Sequence, residues 1–336
     1  MTTTQIEKVQ LGSTGPTVSR IGLGAMGMSG MYGASDDAES IATIHAALDS
    51  GANIIDTGDF YGAGHNEMLI AKAIADRARE DVVLSVKFGG MRSPGGGWGG
   101  VDTRPDAVRN FLTYSLQRLD VDYIDIYRPA RLDPAVPIEE TVGAIAEMVE
   151  AGYVRHIGLS EIGADTLRRA TAVAPIADLQ IEYSLISRGI EADILPTARE
   201  LGVAVTAYGV LSRGLLSDSM RDGKAFAAND FRAHSPRFQG ENLTRNLQLV
   251  EALAQVASQH DVSVAQLAIA WVLSRGTDII PVIGARRRER WAEATAALAL
   301  ELTPEDLAVI EAAAPADAVA GERYAVAQMA TLDSEH

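Results

Sequence analysis

Three residues able to move a proton fall in the first third of the chain: Asp56 and Tyr61 in DTGDFYGAGHNE, and Lys87 in SVKFGG. Each lies at or just after the end of a short β-branched run, so an acid, a phenol and an amine meet on one rim if those runs are neighbouring parallel strands. A tyrosine hydroxyl works as a general acid only when its pKa, about 10, is drawn towards neutrality, and an adjacent ammonium does this by favouring the phenolate. Lys87 is the candidate for that charge, and Asp56 for the carboxylate that keeps Lys87 charged and oriented. The same spacing also fits a structural Asp–Lys ion pair beside a packed aromatic. The histidines show no HxxxH or carboxylate spacing of a metal site, so no metal is expected.

The elements that must position these groups follow from periodicity. Eight short β-branched runs, at 18–24, 53–58, 82–89, 122–128, 154–160, 178–184, 203–209 and 278–284, alternate with segments of helical spacing such as 38–51, 107–120, 138–152 and 192–202. Strands alternating with helices imply a parallel sheet, and eight units fit a closed (β/α)8 TIM barrel of the α/β class better than a doubly wound sheet. The expectation is one barrel domain over residues 1–336 with insertions in its βα loops. The N-terminus to about residue 8 and the tail from about 315 to 336 read as flexible. Three stretches break the spacing: the Gly-rich SPGGGWGG at 93–100, residues 215–241, and that tail. The Gly run reads either as a surface connector or as a mobile substrate lid, and Trp98 favours the lid.

Composition narrows the function classes. The chain has 336 residues, a net charge of −16 and no cysteine. Such acidity argues against nucleic-acid binding, and the lack of cysteine removes thiolate nucleophiles and Cys-ligated clusters and suits a reducing cytoplasm. No signal-like start and no apolar run of about 18 residues is present, so a cytoplasmic protein without a membrane segment is expected.

Several segments together resemble the aldo-keto reductases over almost the whole chain: GANIIDTGDFYGAGHNE (51–67), VLSVKFG (83–89), RLDVDYIDIY (118–127), GLSEIG (158–163), LQIEYSLISR (179–188), AYGVLSRGLLS (207–217) and IPVIGARRRER (280–290). The resemblance implies a TIM barrel that binds NADPH extended, without a Rossmann glycine loop. GLGAMG at 22–27 lacks that loop's pattern. It also implies catalytic roles for Asp56, Tyr61 and Lys87. The family's fourth catalytic residue, a histidine, is replaced by Ala130, which can neither orient a carbonyl nor share a proton. Arg128 shares the strand parity of Ala130 and reads either as a cation offered to the substrate or as a structural ion pair. Arg131, Met26, Tyr32 and Trp98 complete the expected substrate wall.

For the cofactor, the resemblance implies Ser160, Glu161 and Gln180 at the nicotinamide carboxamide, with Glu161 in the place of the usual Asn. Tyr208 is the aromatic on which the nicotinamide stacks, or else a core aromatic. Leu211, Arg213 and Gly214 fall at the pyrophosphate, and Gly284 in the loop after the eighth strand. Arg286, Arg287 and Arg290 open a helix whose N-terminus is already positive, an arrangement that a bound 2′-phosphate would explain and that favours NADPH over NADH. A solvated basic face is the other reading. Glu293 is placed near the adenosine. The expected activity is NADPH-dependent reduction of a small-molecule aldehyde or ketone, with Tyr61 donating the proton and homo-oligomerisation left open. A reductase specialised for a pyridoxal-like aldehyde and a non-catalytic NADPH-sensing relative are the alternatives.

Overall fold

The computed structural model describes residues 5–95, 97–217, 220, 226 and 230–335. A short antiparallel hairpin, β1 (Lys8–Gln10) and β2 (Thr17–Ser19), precedes the first barrel strand, β3 (Gly22–Gly24). Strands β4 (Ile54–Gly58) and β5 (Val83–Phe88) follow, then a second hairpin, β6 (Gly90–Arg92) with β7 (Trp98–Val101). Next come β8 (Ile124–Pro129), β9 (Val154–Ser160), β10 (Ile176–Glu182), β11 (Ala204–Tyr208) and β12 (Ile279–Gly284). The eight strands outside the hairpins form a closed parallel barrel in chain order, sealed by β12 against β3. The fold is therefore the expected (β/α)8 barrel. The run read at 18–24 splits, because Ser19 donates its backbone N–H to Asn53 and its hydroxyl to the Ile21 carbonyl, so only Gly22–Gly24 joins the barrel.

The connecting helices are α1 (Asp37–Asp49), α2 (His65–Ile74), α3 (Pro105–Leu119), α4 (Ile138–Glu150), α5 (Ala164–Thr171), α6 (Ile194–Glu200), α7 (Gly240–Gln259), α8 (Val264–Ser274) and α9 (Arg288–Ala296). Their starts are chemically marked: Asp36 caps α1, Pro105 opens α3, and Ser263 with Gln266 forms a reciprocal capping box on α8. Two further helices, α10 (Pro304–Ala313) and α11 (Val326–Met329), end the chain. No helix among the described residues is long and apolar enough to cross a membrane.

Inward-facing residues alternate along each strand and stack in layers. The floor is apolar: Leu11 and Val18 of the N-terminal hairpin plug it against Ile54, Val83, Ile126, Ala204 and Ile280. Two residues further along the strands the interior turns polar, with Asp56, Ser85, Arg128, Asp178 and Thr206 all buried. This polar layer lies directly beneath the C-terminal mouth.

The segments that broke the helical spacing are structured where described. The described residues of the Gly-rich run continue from β6 into β7, with Trp98 exposed but set edge-on to Phe60 at 5.7 Å. The chain after 315, expected as a flexible tail, packs onto the barrel mouth with Arg323 and Leu332 buried. Residues 1–4 of the expected flexible N-terminus, and several within 215–241, lie outside the described residues.

Candidate active site

Asp56, near the end of β4, is the hub of the polar layer. Its Oδ1 accepts from Lys87 Nζ at 2.5 Å, and its Oδ2 accepts from the Ser85 hydroxyl at 2.9 Å and from Gln180 Nε2 at 2.7 Å. Ser85 in turn accepts from Arg128 Nη2 at 2.8 Å, and Arg128 Nη1 donates to Asp178 Oδ2 at 2.9 Å. Thr206 also donates to Asp178. Five strands thus contribute to one hydrogen-bonded network with no exposed charge. Gly158 is required here: a Cβ at that position would come within 2.6 Å of Asp178 Oδ1 and 3.2 Å of Arg128 Cζ.

Tyr61 follows β4 in a tight turn in which Gly62 (φ 59°) and Ala63 (φ 53°) take left-handed conformations. Its ring is buried, 5.1 Å from Lys87 Nζ and edge-on to Phe60 at 4.8 Å. The three proton-handling residues are therefore brought together as expected. The electrostatics differ from expectation. Burial pushes the Tyr61 phenol well above its ordinary pKa, Asp56 adds to this, and the cation that opposes it is Arg131. Lys87 is itself pulled down by burial, while Asp56, in direct contact, offsets that loss. An ammonium neutralised at 2.5 Å projects little net charge onto a phenol farther away.

Arg128 is fully buried against Asp178, so it lies beneath the mouth as a structural cation and not in the substrate wall. Arg131, just past β8, is half-buried and remains at the mouth. Tyr32 stands at the same rim: burial pushes its phenol up to about 12, and Arg232 lies over its ring at 5.6 Å. Met26 is half-buried in the turn after β3.

The expected cofactor residues fall into two groups. At the nicotinamide end, Ser160 is buried and its hydroxyl has no hydrogen-bond partner among the described residues. Glu161, in the left-handed region (φ 55°), accepts from Tyr208 at 2.7 Å, from Ser334 at 2.7 Å and from Arg323 at 2.6 and 2.9 Å. Burial alone would raise Glu161, yet Arg323 overrides it and holds the carboxyl at about 2. Gln180 is turned towards Asp56. The Tyr208 hydroxyl also meets Tyr324 at 2.9 Å. Half-buried Leu211 leads into Arg213 and Gly214, both with positive φ, and the Arg213 guanidinium binds Glu182 at 3.0 Å and covers Tyr324 at 4.5 Å.

At the other end, Gly284 is exposed at the close of β12, and Arg286 donates to the carbonyls of Tyr32 and Ala34. Burial lowers the Arg286 pKa, and Arg232 and Arg287 beside it lower it further. Arg287 caps α9 without any side-chain cap bond, and neither it nor Arg286 forms an ion pair among the described residues. Arg290 is occupied by Glu293 at 2.7 Å, and Glu293 also accepts from Ser263. Arg286 and Arg287 thus stand as neighbouring cations at the start of α9, where the first N–H, that of Arg288, donates to Glu39 Oε1 at 3.0 Å.

Sequence reasoning missed Ser85, Asp178 and Glu182, and missed the tail residues Arg323 and Tyr324. A signal for two of them was present: DLQIE in β10 places a polar side chain at every second position of a strand otherwise apolar. A cavity of about 430 Å³ beside the mouth is lined by Glu182, Arg237, Arg323 and Glu335, but by none of Asp56, Tyr61 and Lys87.

One residue in the tyrosine segment has a pH consequence. Asp59 is buried, Oδ1 has no partner among the described residues, and burial with repulsion from Glu67 pushes its carboxyl up to about 7. An acid raised in the native state contributes its full stability below its unfolded value, near 4, and loses it as pH rises towards 7. Asp59→Asn is expected to raise stability at pH 8 by on the order of 1–3 kcal/mol and to leave it nearly unchanged at pH 4, as read by denaturant titration at both values.

The Aldo/keto reductase family profile matches residues 20–315, and the chain belongs to that family. It is 42% identical over 330 residues to a probable aldo-keto reductase from Glycine max, covering 96% of this chain and 93% of the relative. It also matches the structure of a glycerol dehydrogenase from Gluconobacter oxydans, with 31% identity, TM-score 0.83 and coverage of 94% of this chain and 98% of that one. A further match is an aldo-keto reductase from Bacillus halodurans in holo form, at 27% identity and TM-score 0.76, covering 93% and 97%. The class is therefore an oxidoreductase of the aldo-keto reductase barrel. Arg323 and Tyr324 lie beyond residues 20–315, the span matched by the family profile.

Proposed function

We propose that this protein reduces a small-molecule aldehyde or ketone to the alcohol with NADPH, and that Tyr61 delivers the proton. The observation that supports this most directly is the buried Asp56–Lys87 pair with the Tyr61 ring 5.1 Å from the ammonium, set at the C-terminal mouth of a barrel of this family. Bound NADPH would supply the hydride. The residues fit it: the Ser160 hydroxyl, without a partner among the described residues, at one end, and Arg286 and Arg287, which make no ion pair among them, at the other are groups that an amide and a phosphate would satisfy. Tyr61 holds its proton, because burial opposes the phenolate, until an alkoxide forms beside it and takes that proton. Asp56 fixes Lys87 near the Tyr61 ring and is itself held by Ser85 and Gln180. Oxidation of NADPH followed over a panel of aldehydes and ketones, pyridoxal included, tests the reading. Tight NADPH binding with no turnover on any carbonyl would favour the non-catalytic sensing role instead.

Cofactor choice rests on the arginines. Arg286→Ala or Arg287→Ala is expected to weaken NADPH by about 1.5–3 kcal/mol, the scale of a charge-assisted hydrogen bond, and NADH by far less. Fluorescence titration of each variant with both nucleotides measures the difference. Equal losses would remove the 2′-phosphate assignment.

A further inference from the structure

Ala130 puts a methyl group at the inner wall of the mouth, where the family resemblance places an imidazole. Its neighbour Arg131 holds the Ala130 carbonyl and reaches Tyr324. Arg131 Nη1 donates to the Ala130 carbonyl at 2.6 Å and Nη2 to the Tyr324 hydroxyl at 3.3 Å, so a guanidinium with five N–H donors uses two. Its Cζ stands 5.9 Å from the Tyr324 ring centroid. It makes no ion pair among the described residues, whereas Arg128 pairs with Asp178, Arg213 and Arg237 with Glu182, and Arg323 with Glu161. In a chain of net charge −16, a half-buried guanidinium with no ion pair among the described residues can receive an anion from outside the chain.

The direction in which Arg131 acts is also set. Its charge opposes the burial-driven rise of Tyr61 and adds to the burial-driven fall of Lys87, so it acts on both of those groups. Glu161, a carboxylate whose charge acts on Arg131, is already hydrogen-bonded by Arg323, Ser334 and Tyr208.

We infer that Arg131 is a substrate-binding residue that receives a carboxylate carried a few atoms from the carbonyl to be reduced, and so supplies the orientation that Ala130 cannot. The preferred substrates are then oxo acids and semialdehydes of acids. A bidentate guanidinium–carboxylate pair fixes the substrate in a plane, which a single hydrogen bond from an imidazole does not. The inference rests on the proposed carbonyl reduction for its catalytic consequence, but the anion site itself does not depend on it.

The test uses the full-length protein with succinic semialdehyde, its uncharged methyl ester, and succinate as a non-reducible probe. Wild-type kcat/KM with NADPH is expected to favour the semialdehyde over the ester by about tenfold or more. Arg131→Gln should bring the semialdehyde-to-ester ratio of kcat/KM down to near one, and Arg131→Lys should keep part of the preference. Calorimetric titration with succinate should show affinity about tenfold weaker in Arg131→Gln, with the melting temperature of the variant confirming its fold. An equal loss on charged and uncharged substrates, an unchanged preference, or succinate binding that does not depend on Arg131 would each overturn the inference. If no carbonyl is reduced at all, the activity reading fails, and the succinate titration alone then decides the anion site.

Discussion

Tyr61→Phe is expected to lower turnover on every carbonyl by about a thousandfold, within the range of 10²–10⁴ set by removal of a positioned general acid, and to leave NADPH affinity within about twofold. The substitution keeps the ring that packs edge-on against Phe60 and deletes only the hydroxyl, so the turn after β4 should persist. No neighbour can replace the proton. Lys87 is held by Asp56 at 2.5 Å, and the Asp56 oxygens are already filled by Lys87, Ser85 and Gln180. The Tyr32 hydroxyl is held protonated up to about 12, but it stands on a different rim loop and is not positioned by the Lys87–Asp56 pair. The cations proposed for the cofactor, Arg286 and Arg287, follow β12, whereas Tyr61 follows β4, so binding and chemistry should separate. Transient kinetics of hydride transfer, run beside a nucleotide titration, measure both. Retention of turnover within about threefold would remove Tyr61 from the role of acid.

What the sequence made legible is what repeats locally. The alternation of β-branched runs with helical segments specifies a barrel because period 2 and period 3.6 are each visible in a short window. Asp56 and Lys87 were readable because they end two consecutive strands, and parallel neighbours of a barrel must bring their ends to one rim: Gly58 pairs with Lys87 in register, and Asp56 with Ser85. Charge compensation was not readable in this way. Arg128 left two uses open until its partner was known, and that partner, Asp178, lies 50 residues away across the barrel. Glu161 was placed at the cofactor by resemblance, whereas its side chain is consumed by Arg323, 162 residues later in a stretch with no periodicity. The pKa of Tyr61 was misjudged for the same reason. Proximity to Lys87 could be foreseen, but the neutralisation of Lys87 by Asp56 and the approach of Arg131 are three-dimensional facts.

That long-range pairing leads to the largest stability effect expected in this chain. Arg323 is buried and bridges Glu161 at 2.6 Å, Glu335 at 2.6 Å and Glu182 at 3.6 Å. Arg323→Ala strips Glu161 of its only arginine partner within ion-pair distance among the described residues and leaves a buried carboxylate beside Glu182, which keeps Arg213 and Arg237. Breaking a buried pair from one side costs about 3–5 kcal/mol, since the desolvated charge remains without its attraction. The pH dependence identifies the cause. In the wild type Glu161 sits at about 2, below its unfolded value, so its contribution is present above pH 4.5 and is lost as pH falls towards 2. In Arg323→Ala burial prevails, and the native carboxyl rises above the unfolded value. The variant should then be most destabilised at neutral pH and approach the wild type near pH 4, where the carboxyl can be protonated. Adding Glu161→Gln should restore much of the loss, because an amide can still donate and accept there without a buried charge. Denaturant titrations of the two single variants and the double variant at neutral and acid pH form the cycle. Additive losses, or a deficit that does not change with pH, would show that Arg323 acts by packing the C-terminal segment and not by neutralising Glu161.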